Sequence, residues 1–187
     1  MPAHQQALGA AAILVLSRQG SRGFTHRAVD RQAGLPEGTA SRYARTRSDL
    51  LALAADRLFA DDRKTSEQAL RATSHGFTSI EAVEKGLERV TAALIQAEDH
   101  YRARVELQLE GARNPALRLH FQRGRAAFVS ELASLLRAFE IDSARACADA
   151  LVMAVDGALH RQLVLGCKPL TKRHLRRLFD AALEAGA

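Results

Sequence analysis

Residues 24–51, FTHRAVDRQAGLPEGTASRYARTRSDLL, hold two short helical patterns around a glycine turn and lead into a long apolar one. Thr25 carries a hydroxyl that can accept from the free N–H groups opening a helix, which predicts a helix over 26–33. Ala28, Val29 and Ala33 give it a small inward face, and Gly34 stops it as a C-terminal cap. Pro36 suits the first turn of a second helix, about 37–44, where its missing N–H costs nothing. At 1.5 Å per residue that helix is only ~12 Å long. Isolated helices below ~12 residues are marginal in water, so both must dock on a third. This is the construction of a helix-turn-helix, whose second helix is offered to the DNA major groove.

The flanking sequence supplies the support. A first helix, about 3–19, repeats Leu8, Ala12, Val15 and Leu16 at helical spacing; Gly20 and Gly23 frame a turn into Phe24, a core plug. A long helix follows over 47–72, with Leu50, Leu51, Leu53, Ala54, Leu58 and Phe59 apolar. Thr78 with Glu81 fits a capping box opening a helix to about 97, with Val83, Leu87, Val90 and Leu94 inward. The next, 99–112, carries Tyr101, Val105 and Leu109. Asn114-Pro115 breaks the chain before a helix over 116–139 with Leu117, Phe121, Phe128, Leu132 and Leu135 or Leu136. Asp142 or Ser143 caps 143–165, a helix apolar on more than one face, which must be buried from two sides. Gly166, Cys167 and Pro169 end it, and Thr171 caps a basic helix to about 185.

The fold class is all-α: a three-helix head over residues 1–46 and a helical-bundle body over 47–187, about nine helices in all. With 187 residues and 47% hydrophobic content there is enough for a core, and 5% aromatic without Trp makes it one of Ala, Leu and Val. Residues 1–50 hold seven arginines against Asp30, Glu37 and Asp49, a net +4 of the chain's +6, which points to phosphate contact at that end. No apolar run approaches ~20 residues and no leader pattern is present, so no membrane role is expected and the compartment is cytoplasmic, at the nucleoid. Cys147 and Cys167 lack metal or redox spacing and read as ordinary thiols.

The pattern over residues 8–53 resembles the TetR family of bacterial transcriptional regulators. It is carried by Ala11-Ala12, Gly20, Thr25, Ala33-Gly34, Gly38-Thr39, Tyr43, Arg47 and Leu50-Leu51, in register. Two departures stand out. Ser41 and Ala44 replace the family's usual aromatic pair, leaving less apolar anchoring for the second helix. Glu37 sits where a basic or small residue is usual; it can favour the helix dipole or accept from a cytosine N4 group.

The resemblance implies double-stranded DNA as partner. Thr25, Tyr43 and Arg47 would contact phosphates, Thr39, Ala40, Ser41 and Arg42 would face base edges, and Arg27, Gly38 and Arg45 complete the surface. It also implies a homodimer through helices 116–139 and 143–165, a pseudo-palindromic operator, and release by a small-molecule effector, hence a repressor. Gly157 fits either a close dimer seam or a plain surface position. Leu94, Tyr101, Val105, Leu109, Phe128 and Met153 are the candidate effector lining, each equally readable as core. Asp156 and His160 lack a third metal ligand, and Glu106 and Glu110 read as ion-pair partners of Arg102, Arg104 and Arg113. No catalytic grouping, metal set or cofactor motif is visible, so no enzyme is expected. The rival reading is a helical ligand-binding or catalytic domain with a vestigial helix-turn-helix.

Overall fold

The computed structural model describes residues 3–71, 79–141, 143–169 and 171–184. These residues form nine helices and no strand: α1 (Ala3–Gly23), α2 (His26–Ala33), α3 (Thr39–Tyr43), α4 (Arg47–Arg71), α5 (Ile80–Gln96), α6 (Glu98–Gly111), α7 (Pro115–Arg137), α8 (Ala144–Leu163) and α9 (Lys172–Glu184). Two compact units result, one of residues 1–64 and 97–123, the other of 65–96 and 124–187. Helix α6, assigned from sequence to the body, thus shares a unit with the three short-range helices of the head.

In the first unit α1 is the post. Leu8, Ala12, Val15 and Leu16 are buried as its periodicity requires, and α2 and α6 both pack on it. Its Gly9 lies against α4, where an added Cβ would stand 2.8 Å from the Arg57 Cβ. The helix runs on to residue 23 rather than 19, across a kink at Gly20 (φ 64°, ψ −174°). The kink takes the Ser21 N–H out of the helical ladder, and Glu106 on α6 accepts it at 2.9 Å. Phe24 is buried, as expected of a plug. Lower in the unit, Arg104 pairs with the buried Asp62 and lies over the Phe59 ring, which meets Phe121 edge-on at 5.2 Å.

The second unit has its own core of Val83, Val129, Ala133, Leu136, Cys147, Leu151 and Phe179. Burial pushes the Cys147 thiol up from its ordinary pKa, so it is poor in thiolate. Arg125 on α7 bridges Asp149 and Asp156 on α8, giving Asp156 an arginine partner. Thr171 caps α9 as expected, and His174 returns the bond: its Nδ1 accepts the Thr171 N–H at 3.2 Å. Ser79 caps α5 through the Ala82 N–H, whereas the expected Thr78 cap lies outside the described residues, as does Asp142. Ser143 precedes α8 without a side-chain capping bond.

The largest boundary correction concerns the second short helix. It begins at Thr39, not 37, because Gly38 adopts φ 90° and Pro36 belongs to the turn, its carbonyl accepting the Thr39 N–H. Helix α2 matches its expected span, closed by Gly34 at φ 66°, with the Gly34 N–H bonding the Arg31 carbonyl and the Leu35 N–H the Asp30 carbonyl. Nothing lies within 4 Å of a Cβ added at Gly34, so replacement there meets only backbone strain. Gly34→Ala is therefore expected to cost about 1–2 kcal/mol, read as a lower urea midpoint at unchanged slope.

Candidate nucleic-acid interface

Helix α3 has five residues and buries one of them, Ala40; Ala44, just past its end, is the next buried side chain. Its hold on the protein is polar. Asp30 of α2 is 2% exposed, and its two carboxylate oxygens accept the Gly38 N–H at 2.8 Å and the Ala40 N–H at 2.7 Å. The Thr39 N–H goes to the Pro36 carbonyl at 3.1 Å, and the Thr39 hydroxyl donates to the same oxygen at 2.6 Å. At the other end the His26 Nε2 bonds the Ala44 carbonyl at 2.8 Å; that carbonyl accepts, so Nε2 carries the proton. Sequence reading counted Asp30 only as a charge; its place one turn before Ala33, on the inward face of α2, was the available signal.

Around this helix Ser41, Arg42, Tyr43 and Arg45 are exposed, and Thr39 is half-buried. Thr25 caps α2 by accepting the Ala28 N–H at 3.1 Å, which leaves its own hydroxyl hydrogen to donate outward. Arg27 pairs with Glu37 on the surface, and Glu37 precedes the Gly38 N-cap instead of standing in the first turn of α3. Both side chains are well exposed, and such pairs contribute ~0–1 kcal/mol.

Several expectations need correcting. Ala40 is fully buried and cannot face base edges. Gly38 is exposed, but its N–H is taken by Asp30. Arg47, exposed at the surface, turns its guanidinium onto the protein: it donates to the Phe24 carbonyl at 2.5 Å, to the Ser21 carbonyl at 3.0 Å and to the Ser21 hydroxyl at 2.7 Å. It also pairs with Glu110 at 3.2 Å and covers the Phe24 ring at 5.5 Å. Its geometry is that of a bolt joining α4, α6 and the end of α1. Glu106 and Glu110 accordingly serve Ser21 and Arg47; Arg102 pairs with Glu98 instead, and Arg104 with Asp62.

Of the candidate effector lining, Tyr101, Val105 and Leu109 belong to the first unit and Leu94, Phe128 and Met153 to the second. Leu109 and Met153 are 60% and 55% exposed, so neither lines an enclosed pocket. Tyr101 is buried, and Leu94, Val105 and Phe128 are half-buried. Within the second unit a cavity of about 20 Å³ lies among Leu87, Thr91, Leu151, Val155, Leu175 and Phe179, with Glu84 and Glu88. That volume holds a single water, and none of the six candidates lines it.

A family model described as "Tetracyclin repressor-like, C-terminal domain" matches residues 78–185. The chain belongs to the TetR family. The match covers the part of the chain outside the helix-turn-helix, so two separate regions lead to the same family. Solved TetR-like folds agree. The chain is similar to a member of the TetR family, SCO1917 from Streptomyces coelicolor A3, at 23% identity over 97% of this chain and 98% of that one, TM-score 0.73. It is similar to the fatty acid degradation regulator FadR from Bacillus halodurans, at 16% identity over 98% and 96%, TM-score 0.77. The multidrug binding protein EbrR, complexed with imidazole, aligns at 22% identity over 97% and 96%, TM-score 0.74. At such identities the likeness speaks to the fold. Comparison with curated proteins gives no match. Among the described residues no helix is long and apolar enough to cross a membrane.

The bolt makes the TetR-family head sensitive to acid. The Ser21 hydroxyl first, and then Arg47, hold the Glu110 carboxyl below its ordinary value of 4.5, against partial burial, which raises it. A carboxylate depressed in the folded state stabilises fully above its unfolded value and loses that contribution as pH falls through the folded one. Urea midpoints of the wild type should therefore fall from pH 4.5 downward more steeply than those of Glu110→Gln, which starts lower at pH 7. Parallel pH profiles for the two proteins would remove Glu110 from the account.

Proposed function

We propose that the chain is a homodimeric repressor that binds a pseudo-palindromic operator through α3 and is released by a small-molecule effector. The observation that carries this reading is the division of α3 into two faces. Ala40 and the N–H groups of residues 38–40 are consumed inside the head, while Ser41, Arg42 and Tyr43 stand together outside. A helix held rigidly with a polar, cationic outer face suits a major groove. Arg42 and Ser41, with Thr39, are the base-reading set; Arg suits guanine O6 and N7 because its planar fork donates two parallel bonds. Thr25, Tyr43, Arg27 and Arg45 are the phosphate set. On this division the DNA-binding domain is residues 1–46 and the remainder senses and dimerises.

Dimerisation is proposed through α7 and α8. Helix α8 exposes Met153, Gly157, His160 and Val164 along one stripe, and nothing lies within 4 Å of a Cβ added at Gly157. That open face is what a second copy would cover. A two-fold dimer brings two copies of α3 to one duplex and makes the operator pseudo-palindromic. The effector is proposed on the likeness to EbrR, a multidrug binding protein; it is a small, mostly apolar molecule that favours the DNA-incompetent arrangement, since equal affinity for both would shift nothing.

Selection of bound duplexes from a random pool tests the reading. A pseudo-palindrome bound by a dimer is expected; a folded protein that enriches nothing at low salt sinks it and favours a vestigial helix-turn-helix. On the selected duplex, Arg42→Ala should relax preference at one base pair per half-site, worth about 1–3 kcal/mol of discrimination. Tyr43→Phe should weaken all sequences alike. Uniform loss for Arg42→Ala, measured by competition with single-base variants, would remove it from base readout.

A further inference from the structure

We infer that Asp30, which cannot touch DNA, is the positioning residue that sets base discrimination by α3, an inference that rests on the DNA-binding reading above. Three facts converge on it. First, its carboxylate grips the start of α3 at two alternate residues, Gly38 and Ala40, from a position that is 2% exposed. Two bonds from one planar group fix both the distance of the helix from α2 and its rotation about its own axis, which one bond would leave free. Second, the Thr39 N–H is also taken, by the Pro36 carbonyl, so the N–H groups of residues 38–40 are all bonded within the chain. A helix N-terminus left open offers such groups to phosphate. Here three of them are already engaged, and recognition falls chiefly to the side chains, whose aim depends on the rotation that Asp30 sets.

Third, the apolar hold on α3 is slight. Ala40 and Ala44 are its buried side chains, and His26 at the Ala44 carbonyl fixes its far end. Ser41, Arg42 and Tyr43 lie between these two polar grips. Both Asp30 oxygens face N–H donors, so the site asks for two acceptors on one planar group. An amide in its place would turn an NH₂ toward one N–H, and the helix would re-aim or slide. Fold and general phosphate attraction need no such accuracy; base readout does, because a bidentate arginine tolerates little misdirection.

The test compares Asp30→Asn with the wild type on the full chain, using the selected operator and a scrambled duplex of the same length. Expected is a roughly ten-fold or greater fall in the operator-over-scrambled ratio, with scrambled-duplex affinity and its salt dependence unchanged. Amide exchange at Gly38 and Ala40 should rise about ten-fold while α1 amides stay protected. A fall in both duplex affinities together with a lowered Tm would make Asp30 merely structural and overturn the proposal. Faster exchange with an unchanged ratio overturns it too, as does unchanged exchange. If the wild type selects no duplex, the DNA reading fails and the specificity role with it, and exchange at Gly38 and Ala40 still reports whether the grip itself exists.

Discussion

A five-residue helix cannot hold its own shape, and the head is organised around that constraint. Fixing the first helical turn costs several dihedral angles for a single hydrogen bond, so α3 exists only because something outside it holds its ends. Two buried methyl groups, Ala40 and Ala44, contribute about 0.8 kcal/mol each. Hydrogen bonds to a charged group contribute about 1.5–3 kcal/mol each, so the two at Asp30 outweigh both methyls. The polar grip therefore dominates, and it replaces the aromatic anchoring that Ser41 and Ala44 do not provide. A buried carboxylate is costly unless satisfied, and this one meets two backbone donors at 2.7 and 2.8 Å.

A second polar node stands at the base of the head. Gly20 breaks the α1 ladder, and the N–H and hydroxyl of Ser21 are received by Glu106 and Glu110 on α6. Arg47 ties the same serine and the Phe24 carbonyl to the first turn of α4. The segment that launches α2 is thus fixed from three helices at once. Displacement of α6 along α1 would be felt at Ser21, Phe24 and Arg47 before it reached any residue of α3. This is why α6, distant in sequence from the helix-turn-helix, belongs to the same compact unit.

What was legible in the sequence follows from how local each signal is. Thr25 capping, the Gly34 stop, the span of α2 and the Phe24 plug each depend on neighbours within a few residues, and each was readable. The span of α8 was equally plain. Asp30 to Gly38 and Ala40, and His26 to Ala44, cross the turn, and their pairing exists only once the turn has formed. Ala40 was misjudged for a related reason: five residues are too few for a periodicity to reveal which face turns inward. Glu106 and Glu110 have arginines within helical reach on their own helix, which suggested i,i+4 pairs; contacts with α1 and α4 took precedence because those groups were otherwise unsatisfied. Leu109 and Met153 show the opposite failure, since an apolar residue on an amphipathic helix need not be inside.

The two polar nodes also limit what one head can do on a polyanion. Of the arginines grouped near α3, Arg47 is committed to holding Ser21 and Glu110, and Arg27 is shared with Glu37. The opening N–H groups of α3 are spent on Asp30 and Pro36. On the proposed reading, the backbone N–H groups at the start of α3 serve a fixed aim of Ser41, Arg42 and Tyr43 rather than phosphate. Each released phosphate contact would have strengthened binding to any sequence, whereas a fixed aim strengthens binding to one. On the proposed DNA-binding reading, a single head built this way would hold DNA weakly and read it narrowly. Doubling the head through the proposed two-fold axis would restore affinity without loosening the aim, so the construction of α3 supports the proposed dimer.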